Sequence, residues 1–133
     1  MLANLFDKKY VEIDLSLEEG SLFGYVVDSK ECNLSNWLEE INQLDSLNMI
    51  RTTYERVALF KNIWVEDDER GKGIGTSLLS DGLHEAELNG AQAVLLEADT
   101  LENNKFDLVK WYEDFGFETI SDRYNPLMLK AID

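Results

Sequence analysis

Seven consecutive residues, Arg70-Gly71-Lys72-Gly73-Ile74-Gly75-Thr76, place three glycines at alternate positions between an apolar stretch that ends at Val65 and an amphipathic stretch that follows. Glycines so spaced let the backbone approach a ligand closely and aim several N–H groups at one point, which suits an anion. A helix beginning near Gly73 adds the positive end of its dipole, and Arg70 and Lys72 add charge, so a pyrophosphate fits this turn. Four acidic residues, Glu66 to Glu69, precede the two cations, which therefore form a basic island in an acidic chain. Leu78 stands where a dinucleotide fingerprint needs its third glycine, and Gly73 follows Lys72 where a P-loop needs Ser or Thr. Neither a Rossmann oxidoreductase nor an NTPase is indicated. The alternative without a ligand is a tight βα turn.

Other chemistry-bearing residues are fewer. Glu97 lies inside an otherwise apolar run, where a carboxylate needs a partner or a role. Glu66 lies just past the strand that ends at Val65. His84 falls on the polar side of its helix with no second His or Cys near it and reads as a surface residue, and Cys32 has no His-bearing context, so no nucleophilic role is expected of it. A lone cysteine also rules out an intramolecular disulfide and leaves no metal-ligand spacing, so no metal is expected.

The elements that must position these residues follow from periodicity. Tyr10-Val11-Glu12-Ile13-Asp14-Leu15 alternates as a half-buried strand does, and residues 22–27 form a second strand with Gly24 inside it. Residues 34–47 carry Trp37, Leu38, Ile41 and Leu44 at helical spacing, which predicts one amphipathic helix capped by Asn33 or Ser35. Residues 51–65, rich in β-branched and aromatic side chains, predict two strands or one long bent strand, with residues 57–65 as the later part. After the glycine turn, Gly75, Leu78, Leu79, Gly82, Leu83 and Ala86 share a helix face. The nearly continuous apolar run of residues 91–98 then reads as a strand covered on both faces, completing a βαβ unit. Residues 105–115 predict a helix closed by Gly116 in the left-handed conformation. Residues 117–120 and 127–132 predict two closing strands around Asn125-Pro126. The expected class is α/β, with a mixed, mostly antiparallel sheet and helices packed on it.

Composition narrows the partners. The chain has 133 residues, no linker or repeat and one proline, so residues 1–133 are expected to form one domain. Twelve Lys and Arg face 27 Asp and Glu, for a net charge of −15. Such a field repels polyanions and attracts cations, so no nucleic-acid partner is expected and cationic ligands are favoured, although acidity also serves solubility alone. No apolar run approaches the roughly 18 residues of a membrane span. The first residues become charged too soon for a signal peptide, so no membrane association and a cytoplasmic location are expected.

The segment Val65-x4-Arg70-Gly71-x-Gly73-Ile74-Gly75-x2-Leu78-Leu79 resembles the acetyl-CoA-binding signature of the GNAT superfamily, whose core reads Arg/Gln-x-x-Gly-x-Gly/Ala. Trp111-Tyr112-Glu113-Asp114-Phe115-Gly116-Phe117 resembles the same family's second signature, an aromatic-Tyr-x3-Gly-Phe run at the end of the following helix. The two occur in the family's order and span residues 57–120. The resemblance implies a sheet with a splayed parallel strand pair at its centre, helices on both faces, and acetyl-CoA as co-substrate of an N-acetyltransferase. It implies that the backbone at Trp64 and Val65 binds the pantetheine arm and that Arg70, Gly71, Lys72, Gly73, Ile74, Gly75 and Thr76 hold the pyrophosphate. Tyr112 matches the family's general acid for the departing thiolate; a helix aromatic packed in the core is its structural alternative. Many members carry an Asn about seven residues before that Tyr; here position 105 is Lys, and Asn104 sits one residue early.

The implied chemistry is direct attack of a neutral amine on a thioester. An alkylammonium has a pKa near 10, so a base must take its proton; Glu97 and Glu66 are the candidates. Trp64 is placed to wall the acceptor site. Family members usually begin with one strand and then two helices that shape the acceptor pocket. This chain shows two strand-like stretches first, so either a helix is hidden in residues 15–23 or this half is rearranged. Two alternatives stand beside an amine acetyltransferase: a non-catalytic CoA-binding module, and a toxin-like acetyltransferase of aminoacyl-tRNA, which the acidity disfavours. Family analogy also allows a homodimer through the C-terminal strands.

Overall fold

A computed structural model describes residues 10–65, 73–98, 108–121 and 125–132. Among these the elements run β1 (Tyr10–Leu17), β2 (Gly20–Asp28), α1 (Cys32–Glu40), a 3-10 turn (Leu44–Ser46), α2 (Leu47–Thr53), β3 (Arg56–Val65), α3 (Ile74–Leu88), β4 (Ala93–Glu97), α4 (Leu108–Asp114), β5 (Glu118–Thr119) and β6 (Leu127–Ala131). They build a six-stranded sheet in the order β1-β2-β3-β4-β6-β5. Only β3 and β4 pair in parallel, joined through α3 as the βαβ pattern requires; the other neighbours are antiparallel.

Alternation along the strands divides the core into two layers. Ile13, Leu22, Val26, Ala58, Phe60, Val94, Leu96 and Met128 meet Leu78, Leu79 and Ala86 of α3 and Tyr112 of α4 on one face. Val27, Val57, Leu59, Leu95, Leu127 and Leu129 meet Leu34, Trp37 and Leu38 of α1 and Ile50 of α2 on the other. Helices therefore cover both faces, and Ala93–Glu97, buried at four of its five positions, is the doubly covered strand that its apolar run indicates.

One irregularity shapes the centre of the sheet. Gly24 pairs with Phe60, but Phe23 pairs with Asn62, so β3 carries one extra residue, Lys61. Such a bulge bends and twists its strand. On the other side of β3, the last described pair with β4 is Phe60↔Leu96. Beyond it β3 continues to Val65 against β2, while β4 continues to Glu97 against Leu127 of β6. The parallel pair thus opens at its carboxyl end. Gly24 sits where the bulge draws β2 and β3 together, and a Cβ there would collide with the Leu59 carbonyl oxygen.

The amino end of the same pair is laced shut. Arg56 pairs with Asp28 at 3.0 Å and donates to the Asn89 carbonyl at 2.9 Å. The Gln92 side chain accepts from the Glu55 N–H at 2.6 Å, and the Ser29 hydroxyl donates to the Tyr54 carbonyl at 2.6 Å.

Three expectations from the sequence are corrected. Neither Asn33 nor Ser35 caps α1: both lie inside it, and its N-cap is Glu31 with no side-chain cap. Residues 34–47 do not form one helix: α1 stops at Glu40, where Asn42 takes a left-handed φ of 60°. Asn42 N–H returns to Glu39 O and Gln43 N–H to Leu38 O, a Schellman closure that the helical spacing of apolar residues conceals. Residues 51–53 are helical rather than extended. The Thr52 and Thr53 hydroxyls bond back to the carbonyls of Asn48 and Met49, and burial of Ile50 against the sheet overrides the β-branched preference. The helix pair therefore lies between β2 and β3, after a β1–β2 hairpin. This half is rearranged, and residues 15–23 hide no helix.

Candidate active site

The helix after the glycine turn begins with Gly73 as its N-cap residue, at φ 86°, with no side-chain cap. Only glycine takes that conformation without strain, and a Cβ added there would meet nothing within 4 Å. The first intrahelical bond runs from Ser77 N–H to the Gly73 carbonyl at 2.9 Å. The amides of Ile74, Gly75 and Thr76 consequently have no acceptor within the helix, as the first amides of a helix do. Arg70, Gly71, Lys72, Glu66 and Asn104 lie outside the described residues.

Glu97 closes β4 at the opening of the parallel pair and pairs with Leu127, so strand alternation puts it on the α1–α2 face. Trp64 pairs with Ser21 and is 51% exposed near the end of β3; Val65 pairs with Gly20 at the strand's last position. Since Leu22 packs against α3, neighbouring Ser21 and its partner Trp64 face away from α3, on the same face as Glu97. Tyr25 lies on that face too. Tyr10 and Phe23 stand edge-on to its ring at 5.5 and 5.2 Å, and Lys61 Nζ lies 5.7 Å from its centroid. Exposed Glu12 and Asp14 flank these rings on β1.

Tyr112 belongs to the opposite layer. It is 4% exposed on α4, with Trp111 and Phe117 at ring distances of 5.1 and 5.8 Å. Burial pushes its phenol well above the ordinary value, so the hydroxyl holds its proton at any physiological pH. The residue is a core aromatic whose hydroxyl stays protonated. Gly116, at φ 98°, ends α4 in the left-handed cap its position indicates. Trp37 is core, whereas Trp111 is only partly buried; His84 and Cys32 are exposed.

The structure thus sorts the described candidates by face. Gly73, Ile74, Gly75, Thr76 and Tyr112 belong to the α3–α4 side, Glu97 and Trp64 to the other, and the opening between β3 and β4 lies between them. One feature of this region had no motif in the sequence: the bulge at Lys61, hinted at only by Gly24 inside an apolar strand. Among the described residues no group of three His, Cys, Asp or Glu is arranged to hold a metal ion, and no helix is long and apolar enough to cross a membrane.

The acetyltransferase (GNAT) domain family matches residues 23–119. No curated protein matches the chain in sequence. Among solved structures the chain is similar to an acetyltransferase from Bacillus cereus, at 13% identity and TM-score 0.57 over 92% of this chain and 73% of that one. It is also similar to Drosophila melanogaster polyamine N-acetyltransferase, which forms N-acetylagmatine, at 11% identity and TM-score 0.65 over 86% and 69% of the two chains. A third likeness is to Arabidopsis thaliana Naa50 in complex with the bisubstrate analogue CoA-Ac-MVNAL, at 19% identity and TM-score 0.55 over 86% and 66%. At these identities the likeness is one of fold.

Proposed function

The chain belongs to the GNAT acetyltransferase domain family, and from that premise we propose that it transfers acetyl from acetyl-CoA to the amine of a cationic small molecule or protein, by direct attack. The observation that carries the reading is the uncapped start of α3, opened by Gly73 beside a parallel strand pair that separates at its carboxyl end. The cradle fits a pyrophosphate: free amides, a helix dipole and space that a side chain would fill. In this reading Arg70, Gly71, Lys72, Gly73, Ile74, Gly75 and Thr76 hold the pyrophosphate, and the backbone of Trp64 and Val65 holds the pantetheine. Asn104 supplies a further coenzyme contact. When bound, the coenzyme supplies an acetyl thioester as electrophile.

The chain's own residues move the protons. Glu97, directly or through water, takes the proton that the amine must lose as its C–N bond forms. Tyr112 gives its phenolic proton to the sulfur as the C–S bond breaks. Base and acid lie on opposite faces of the sheet, as an amine and a coenzyme entering the opening from opposite sides require. Net charge, the aromatic face around Tyr25 with Glu12 and Asp14 beside it, and the polyamine substrate of the Drosophila protein all support a cationic acceptor.

Calorimetric titration of acetyl-CoA tests the reading. Wild type is expected to bind, Gly73→Glu to lose binding because its carboxylate occupies the cradle, and Gly73→Ala to retain part of it, since alanine adds strain but no charge. Absence of binding to folded wild type would overturn the proposal.

A further inference from the structure

The two edges of the sheet are built differently. At one edge β5 is two residues long, too short to template another strand. At the other, β1 runs for eight residues, Tyr10–Leu17, pairs with β2 in an unbroken register, and has no strand on its outer side among the described residues. Sheet edges are commonly guarded by a proline, a lysine or a bulge. Tyr10–Leu17 contains none of them. Every second residue of such a strand turns its N–H and C=O outward, so this edge offers a row of donors and acceptors to an extended chain.

The side chains along the edge decide which chain fits. On the face turned away from α3, Tyr10, Glu12, Asp14 and Ser16 are exposed. Glu18 and Glu19 continue the acidic row into the hairpin turn. Asp14 Oδ1 accepts from the Ser16 hydroxyl at 3.2 Å, and neither Glu12 nor Asp14 has a cationic partner among the described residues. On the α3 face, Val11 and Leu15 pack against the core but are only partly buried. A strand added to β1 thus meets carboxylates on one face and apolar side chains on the other. A second copy of this chain fits poorly. The fullest antiparallel registers that keep its faces aligned set Glu12 opposite Asp14, or Asp14 opposite itself, and like charges directly opposite destabilise a pair. A strand with cations at alternate positions fits well. Tyr10, 45% exposed, adds a ring for one of them, as Tyr25 does for Lys61 Nζ at 5.7 Å.

We propose that β1 is a docking edge for a basic extended segment of a partner protein, which adds to the six-stranded sheet with Arg or Lys at alternate positions facing Glu12 and Asp14 and apolar residues between them. The partner is held by its backbone and its cations rather than by an amine presented for acetylation, so the edge serves it whether or not the chain transfers acetyl groups.

The probe is an N-acetylated, C-amidated peptide alternating Arg and Val, which has no amine to acetylate, titrated by calorimetry at about 0.15 M salt. Wild type is expected to bind it one to one. The same peptide with its backbone amides methylated keeps the charge and loses the donors, and is expected to bind about tenfold more weakly or worse. Glu12→Lys with Asp14→Lys is expected to weaken binding of the Arg–Val peptide by about tenfold or more and to create binding of a Glu–Val peptide that wild type rejects. The methylated peptide is tested on wild type, so that comparison holds even where the double substitution is not tolerated. Equal binding of the two Arg peptides would mean attraction to the net charge alone. No binding by folded wild type would mean that the acidic row only guards the edge. Unchanged affinity in the Lys variant would put the peptide elsewhere, and a dimer of the protein that the peptide dissociates would give the edge to a second copy. Each of these results overturns the proposal.

Discussion

Tyr112 serves packing, and in the proposed mechanism it serves chemistry as well. Its ring fills the core between Trp111 and Phe117, and burial keeps its phenol protonated. Tyr112→Phe preserves the ring and removes only the hydroxyl, so kcat is expected to fall about a hundredfold or more while acetyl-CoA affinity holds. Unchanged turnover would remove Tyr112 from the mechanism, and a wild type that binds CoA without turnover would be a binding module. The same substitution has a pH signature. Folding raises this pKa above its ordinary 10.0, so the unfolded chain loses the proton first as pH rises. The stability linked to the group is full below about pH 10 and declines above it. Denaturation of wild type and Tyr112→Phe should therefore give a stability difference that is constant from about pH 7 to 9 and shifts against wild type above 10.

At the scale of elements, the bulge in β3 lies next to the last β3–β4 pair, and the opening is expected to depend on it. Residues 62–65 pair with 23–20 only because Lys61 is skipped. Deleting Lys61 would restore one continuous register without changing which residues pair or which face each side chain takes. The expected outcome is a folded protein with a straightened β3 and lost acetyl-CoA binding, read by circular dichroism and calorimetry; binding at wild-type affinity would show that the bulge does not create the opening. What the sequence made legible and what it hid divide along the same line. Helix α3, strand β4, the Gly116 cap and the glycine turn announce themselves through local period or local φ demand, and the structure has α3, β4 and the cap where the pattern puts them. The bulge at Lys61 is decided by the partner strand, the break at Asn42 by a left-handed residue inside an unbroken helical spacing, and the burial of Gln43 by a turn more than 80 residues away. None of these has a local periodicity to read. Arg51-Thr52-Thr53 misleads because propensity there is weaker than the burial of Ile50.

Across the whole molecule, a net charge of −15 would, in the proposed reaction, act on two substrates of opposite sign. Acetyl-CoA is a polyanion that, in this reading, approaches the basic island at Arg70 and Lys72 through a repulsive field. A polyamine is drawn in by the same field, towards a face lined with Glu12, Asp14 and Glu97. These are long-range effects, and salt screens them: the Debye length falls from about 30 Å at 0.01 M to about 8 Å at 0.15 M. Raising salt across that range is therefore expected to raise the KM for spermidine and lower the KM for acetyl-CoA, with kcat little changed because the reacting groups sit at contact distance. Steady-state kinetics at the two salt concentrations checks it. If both constants move in the same direction, the field is not what sorts the substrates, and the acidity of the chain serves solubility. If they diverge, the surface charge and the two-faced opening act together, one selecting the acceptor at long range and the other fixing it at contact.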